Sequence, residues 1–254
     1  MKKLKESELD EIERGLTDED CVIRRKFARR KDFMPTSIQI ERGLTDDDTY
    51  VRNAFAKRKR YTPTQAQIER GLTDEYWKIR KAFAERADYT LTPAQIEQGL
   101  TDDNPKVRTE FGCRKDYKPN PVQIERGLTD ADEYVRSAFI FRRDYTPTPA
   151  QIKRGLLERG SSFAFACRED LTFTLSQIEH GLTDKSDYVR ARFAERKDYI
   201  PTQTQIERGL TDGFDGVRLA FVKRKDYAPT LSQIERGLAD ESKWIRAYFA
   251  ERKD

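Results

Sequence analysis

The chain has 254 residues, of which only 36% are apolar and 37% are charged, too little apolar material for a thick globular core unless it is placed periodically. Its 49 basic and 45 acidic residues leave a net charge of +4, short of the strongly basic balance of a dedicated nucleic-acid binder. Three cysteines (Cys21, Cys113, Cys167) at unrelated positions form no metal spacing and no disulfide framework, which predicts a reducing, cytoplasmic setting.

The opening Met1-Lys2-Lys3-Leu4 runs into charged residues, which predicts no signal peptide, and no apolar run approaches the roughly 20 residues of a membrane span. After it one sentence repeats. Its clearest copy reads Tyr61-Thr62-Pro63-Thr64-Gln65-Ala66-Gln67-Ile68-Glu69-Arg70-Gly71-Leu72-Thr73-Asp74. The Gly-Leu pair recurs at Gly15, Gly43, Gly71, Gly99, Gly127, Gly155, Gly181, Gly209 and Gly237, at a spacing of 28 residues except for 26 between Gly155 and Gly181. The chain therefore divides into nine repeats: 5–32, 33–60, 61–88, 89–116, 117–144, an irregular 145–170, 171–198, 199–226 and 227–254. A fixed period of this size predicts one solenoid domain over 1–254 rather than two globular ones.

Each repeat opens with a capping box. Thr36, Thr64, Thr92, Asn120, Thr148, Thr174, Thr202 and Thr230 are each followed three residues later by glutamine, and the first repeat substitutes Ser7-Glu8-Leu9-Asp10. A short helix follows, with Ile68 and Leu72 on one face; Gly71 between them either admits a close neighbour or ends the helix, and the continuing apolar stripe favours close packing. After an aspartate turn, Val51, Ala54, Phe55 and Arg58 share one face of a second helix. Phe27, Phe55, Phe83, Phe111, Phe139, Phe165, Phe193, Phe221 and Phe249 hold one slot and predict the spine of the core. Tyr61, Tyr89, Tyr117, Tyr145, Tyr199 and Tyr227 open the next repeats and are expected to seal the seams, rings inward and hydroxyls outward.

The run Leu128-Thr129-Asp130-Ala131-Asp132-Glu133-Tyr134-Val135-Arg136-Ser137-Ala138-Phe139 resembles the second half of a HEAT repeat, and the clipped first helix behind Thr-Pro resembles the leucine-rich repeat variant. The resemblance covers eight repeats well and the sixth poorly. It implies an all-α, right-handed α-solenoid of nine helix pairs of about 28 residues. It implies no reaction, since such solenoids include protein-binding scaffolds, nucleic-acid binders and one family of DNA glycosylases. The sixth repeat reads Leu156-Leu157-Glu158-Arg159-Gly160-Ser161-Ser162-Phe163, without the turn aspartate and the arginine, which predicts a loosened turn and a local change of curvature.

Two arginine rows are the main candidates for function. Arg24, Arg52, Arg80, Arg108, Arg136, Arg190, Arg218 and Arg246 each follow an aspartate by six residues. They either grip phosphates or bind the turn aspartate of their own or the next repeat; the second reading is favoured because both residues vanish together in the sixth repeat. A second row, Arg30, Arg58, Arg86, Arg114, Arg142, Arg168, Arg196, Arg224 and Arg252, either suits the helix macrodipole or forms a basic edge for an acidic partner. Its basic excess is greatest around Arg24–Lys31 and Lys57–Arg60. The single histidine, His180, stands in an arginine slot, so no histidine metal cluster or Ser-His-Asp triad forms, and neither a cofactor nor a metal is predicted.

These observations predict a non-catalytic scaffold that binds a macromolecule, a protein first and a nucleic acid as the alternative, with no membrane and no small-molecule substrate. The candidate contact residues are Arg25, Arg29, Lys31, Tyr50, Lys57, Lys59, Trp77, Phe214 and Trp244, the basic excess together with aromatics at variable positions.

Overall fold

A computed structural model describes residues 6–158 and 160–251; the opening Met1–Leu4 and Arg159 and Arg252, named above, lie outside it. The described residues form eighteen α-helices and no strand, two helices to each repeat. The first five pairs are α1 (Glu6–Leu16) and α2 (Cys21–Ala28), α3 (Ser37–Leu44) and α4 (Thr49–Ala56), α5 (Gln65–Leu72) and α6 (Trp77–Ala84), α7 (Pro93–Leu100) and α8 (Pro105–Cys113), and α9 (Pro121–Leu128) and α10 (Glu133–Ile140). The remaining four are α11 (Pro149–Leu157) and α12 (Ser161–Ala166), α13 (Leu175–Leu182) and α14 (Asp187–Glu195), α15 (Gln203–Leu210) and α16 (Asp215–Val222), and α17 (Leu231–Leu238) and α18 (Lys243–Glu251). Two compact bodies divide between Phe139 and Ile140, near the end of α10. Within each body first helices pack on the second helix of their own repeat (α1 on α2, α3 on α4, α5 on α6, α7 on α8; α11 on α12, α13 on α14, α15 on α16, α17 on α18), and second helices stack on one another (α2 on α4 on α6 on α8; α12 on α14 on α16 on α18). Stacked helix pairs with neighbour contacts are an α-solenoid.

The capping boxes form from the third helix onward: in α3, α5, α7, α9, α11, α13, α15 and α17 the cap side chain accepts from the backbone N–H three residues on, and the glutamine Oε1 accepts from the cap's N–H. The first repeat departs from expectation, because α1 already includes Glu6 and Ser7 sits inside the helix. The glutamine has a second duty that spacing alone did not reveal. Its Nε2 donates to a glutamate of the preceding repeat, as from Gln67 to Glu41 (2.9 Å) and from Gln95 to Glu69 (3.0 Å).

The glycine row is a close-packing device. A Cβ on Gly71 would sit 2.2 Å from the Phe83 ring, and the same near-collision pairs every glycine of the row with the phenylalanine of its own repeat. Glycine removes the bulk that would hold the two helices apart, and the ring fills the space. Phe55 through Phe249 in that slot are buried, whereas Phe27 is only half-buried. The tyrosines correct the expectation in one respect: their hydroxyls turn inward. Tyr89 Oη donates to the Phe83 carbonyl at 2.6 Å, Tyr117 to Phe111 at 2.9 Å and Tyr227 to Phe221 at 3.2 Å. These helix-end carbonyls also accept the N–H three residues on, and the phenol adds a second donor to each. Burial pushes the hydroxyls of Tyr61 and Tyr199 up to about 12.

In the sixth repeat α12 has six residues and no side-chain cap; Gly160 enters it at φ 84°. The expected looseness is confined to that turn, for Ser161, Ser162 and Phe165 are buried and α12 keeps its place against α11 and α14. His180 is exposed, its Nε2 3.2 Å from the Leu156 carbonyl.

Candidate functional site

The first arginine row is structural, and its carboxylate comes from the next repeat. Arg80 donates through Nε and Nη2 to both oxygens of Asp102 (2.7 and 2.8 Å), while its Nη1 donates to the backbone carbonyl of its own Asp74 (2.8 Å). Arg24–Asp46, Arg52–Asp74, Arg108–Asp130, Arg190–Asp212 and Arg218–Asp240 repeat the arrangement. Each aspartate also accepts its own turn's N–H, as Asp102 does from Asn104 at 2.9 Å. Burial pushes the Asp102, Asp130, Asp212 and Asp240 carboxyls up, but the arginines and turn amides outweigh it and hold all four below the ordinary carboxylate range.

The second row is not a charged edge either, and macrodipole chemistry alone does not describe it. Arg86, Arg114, Arg168, Arg196 and Arg224 are buried and lie across the seam between repeats. Arg114 Nη1 donates to the carbonyls of Ala84 (2.8 Å) and Arg86 (2.6 Å) in the preceding repeat, and Nη2 donates to that of Tyr89 (3.3 Å), which opens its own repeat. Its Nε and Nη2 then grip Asp116, two residues on, at 2.9 and 2.6 Å. The same Arg-x-Asp grip closes at Arg30–Asp32, Arg86–Asp88, Arg142–Asp144, Arg168–Asp170, Arg196–Asp198 and Arg224–Asp226. In the second repeat the aspartate is replaced: the residue two after Arg58 is Arg60.

At that exception lies a solvent-open cleft of about 640 Å³ between α2 and α4 and the turns that follow them. Arg29, Arg30, Lys31, Lys57, Arg58, Lys59 and Arg60 line it, with Ala28, Tyr50, Asn53 and Ala54; among these described residues none is acidic. Seven cations around one cleft make a focused positive field. Arg30 is engaged by Asp32 and Glu11. Arg29, Lys31, Lys57 and Lys59 stand exposed at the rim. Arg58 is pushed down by burial, then by Arg60 beside it. The Asn53 Oδ1 and the Arg58 Nε are sealed from water without a hydrogen-bond partner.

Five of the sequence-derived contact residues (Arg29, Lys31, Tyr50, Lys57 and Lys59) thus meet at one cleft. Arg25 stands beside it, its guanidinium 4.6 Å from the Tyr50 ring and paired with Asp48. Trp77 does not line the cleft; it begins α6 under the ammonium groups of Lys106 (5.0 Å) and Lys78 (5.6 Å). Phe214 and Trp244 belong to the other body: Phe214 packs on Tyr188 with ring centroids 5.5 Å apart, and Trp244 is exposed below Lys243. Sequence reasoning missed Arg30, Asn53, Arg58 and Arg60 as cleft residues. The available signal was the Arg-x-Asp pair itself, present in eight repeats and broken in one.

Among the described residues no group of three or more His, Cys, Asp or Glu side chains is placed to hold a metal, the three cysteines are free thiols, and no helix is long and apolar enough to cross a membrane. No protein-family model and no curated protein matches the chain. A solved structure does: a leucine-rich repeat variant with a novel repetitive structural motif, 21% identical, covering 86% of this chain and 87% of its own, with a TM-score of 0.55. The chain therefore shares the fold of a leucine-rich repeat variant, an α-solenoid built from repeated helix pairs.

Proposed function

We propose that the protein is a non-catalytic repeat scaffold that binds a protein partner, and that an acidic segment of the partner docks in the cleft between α2 and α4. The observation that carries this reading is the cleft itself, seven cations and no acidic side chain lining about 640 Å³, on a chain where many other arginines are held by ion pairs between repeats. A surface with a net charge of only +4 overall concentrates its positive field here, which favours an acidic stretch over an extended polyanion. Tyr50, 45% exposed on the cleft wall, adds an aromatic contact of the kind that anchors protein interfaces.

The alternative, a nucleic acid gripped along the two arginine rows, asks for guanidiniums that already bind the next repeat's aspartate or the preceding repeat's carbonyls. Fluorescence anisotropy with a hexaglutamate peptide and with a duplex DNA, each across a salt series, tests the reading. Peptide binding that is lost when Lys31, Lys57 and Lys59 are all changed to Glu supports it. Sub-micromolar duplex binding with a log–log salt slope worth several phosphates, and none of the peptide, overturns it.

A further inference from the structure

We propose that the cleft contains a defined seat for one carboxylate of the ligand, which completes at Arg58 the grip that an aspartate completes in the other repeats. This rests on the reading of the cleft as an acidic-segment site and adds to it the group recognised and the atoms that recognise it.

The seat is defined by comparison along the chain. In the third repeat Arg86 donates through Nε to Asp88 Oδ1 (3.0 Å) and through Nη2 to Oδ2 (2.6 Å), the bidentate fork that a planar carboxylate fits. Its Nη1 meanwhile donates to the carbonyls of Ala56 and Arg58. Arg58 reaches the corresponding carbonyls of the first repeat, Ala28 at 3.0 Å and Arg30 at 2.7 Å, but through Nη2, and Phe33 at 3.5 Å through Nη1. With no aspartate two residues on, the fork is turned over, and Nε is left without a hydrogen-bond partner in a place water does not reach. A buried donor without an acceptor is costly, so the arrangement gains from an incoming acceptor. Four of the seven cations at the cleft (Lys57, Arg58, Lys59 and Arg60) come from the same short run that lacks the aspartate.

The seat is reachable. The equivalent side chains Asp88 and Asp116 are 36% and 35% exposed, so a carboxylate entering from solvent takes the position they hold from within. Arg60 and Lys59 are exposed, and their flexible side chains can give way or close over the arriving group. A guanidinium fork accepts carboxylate and phosphate alike, and the seat is assigned to an Asp or Glu side chain of the partner segment because an aspartate carboxylate fills the equivalent place beside Arg86 and Arg114.

The test uses the full chain, a fluorescent hexaglutamate peptide and two variants of equal charge change. Arg60→Asp supplies the missing carboxylate from within; Lys59→Asp places the same charge on the cleft outside the seat. We expect Arg60→Asp to weaken peptide binding by about tenfold more than Lys59→Asp does, the scale of one charge-assisted contact. We also expect Arg60→Asp, and not Lys59→Asp, to raise the thermal midpoint, which separates lost binding from lost folding. Equal losses in the two variants, or no rise in the midpoint for Arg60→Asp, overturn the seat while leaving the basic cleft as a docking site. Absence of hexaglutamate binding to the unmodified chain overturns the cleft reading and the seat together, and a duplex DNA that binds in its place assigns the cleft to phosphates.

Discussion

At the scale of single residues the fold depends on contacts in which one atom too many or too few is decisive. Gly71 lies in α5 against Phe83, a ring with no measurable exposure, and an added Cβ would meet it at 2.2 Å. Neither helix can retreat without opening the seam to its neighbours, so we predict that Gly71→Ala costs about 1–3 kcal/mol, the range for overpacked cores. Gly213 is the internal control: nothing lies within 4 Å of the Cβ it would gain, and its φ lies outside the left-handed region. Gly213→Ala should be neutral or stabilise by about 0.4–1 kcal/mol through the unfolded chain. Urea denaturation of the two variants side by side measures both, and similar losses at both positions would show that the glycine row does not set helix spacing. The same scale explains why the tyrosine hydroxyls point inward: a phenol at the seam can reach the helix-end carbonyl of Phe83 or Phe111 beside the backbone N–H already bound there, and a phenol buried without an acceptor would be the costlier state.

At the scale of the element, helices of eight or nine residues are too short to be stable by themselves, so their ends and their stacking decide whether they form. Six turn aspartates (Asp46, Asp74, Asp102, Asp130, Asp212 and Asp240) join both tasks. Asp102 accepts the N–H of Asn104 within its own turn and both fork nitrogens of Arg80 from the repeat before, with side-chain exposures of 6% and 11% for the pair. Removing one partner strands the other, so Asp102→Ala should cost about 3–5 kcal/mol, more than the roughly 1 kcal/mol of a lost helix cap alone. A loss near the lower figure in chemical denaturation would mean that the pair only caps the turn. The sixth repeat provides the natural counterpart. Its second helix α12 has six residues, enters through Gly160 and has no side-chain cap, although Arg168 still clamps Ile140, Arg142 and Asp170 at its far end. We therefore predict that amide hydrogens in the first turn of α12 exchange faster than those at the starts of α14 and α16, while those near Arg168 stay protected. Equal protection at all three starts would show that burial of Ser161 and Ser162 substitutes fully for the missing pair.

At the scale of the whole chain, the period made the helices readable and hid the direction of the contacts between them. Capping boxes and the Gly–Phe pairs act within one repeat, so their spacing in sequence is their spacing in space. The arginine–aspartate pair does not: in a 28-residue period, six residues back and twenty-two forward are the same phase, and only the structure shows that Arg80 chose Asp102 over Asp74. The second arginine row reaches across the seam to carbonyls, which every residue has, so only its grip on the aspartate two residues on left a side-chain pattern in the sequence. The cleft was half legible, as a basic excess, because the informative event was the loss of one aspartate at a position whose role the period concealed. This carboxylate economy makes a prediction for the chain as a whole. Glu41 is held below its ordinary value by Gln67 and Arg70, Glu97 by Gln123 and Arg126, and Glu207 by Arg236 and Gln233. Asp48 is pulled to about 2 by Arg25, and the turn aspartates are lowered as well. A carboxyl whose folded value lies below its unfolded one adds stability that is fully present above the unfolded value and lost as pH falls through the folded one. The arginine partners stay charged throughout. Stability should therefore be level from neutrality down to about pH 5, begin to fall near pH 4, where unfolded carboxyls take up protons, and keep falling toward about pH 2 as the paired ones follow. Thermal midpoints measured across that range check it, and because the arginine–aspartate pairs are largely shielded from solvent, the acid loss should persist at elevated salt. A midpoint that held steady to pH 2, or rose between pH 5 and pH 3, would mean that these pairs contribute no net stability and that apolar packing alone holds the chain folded.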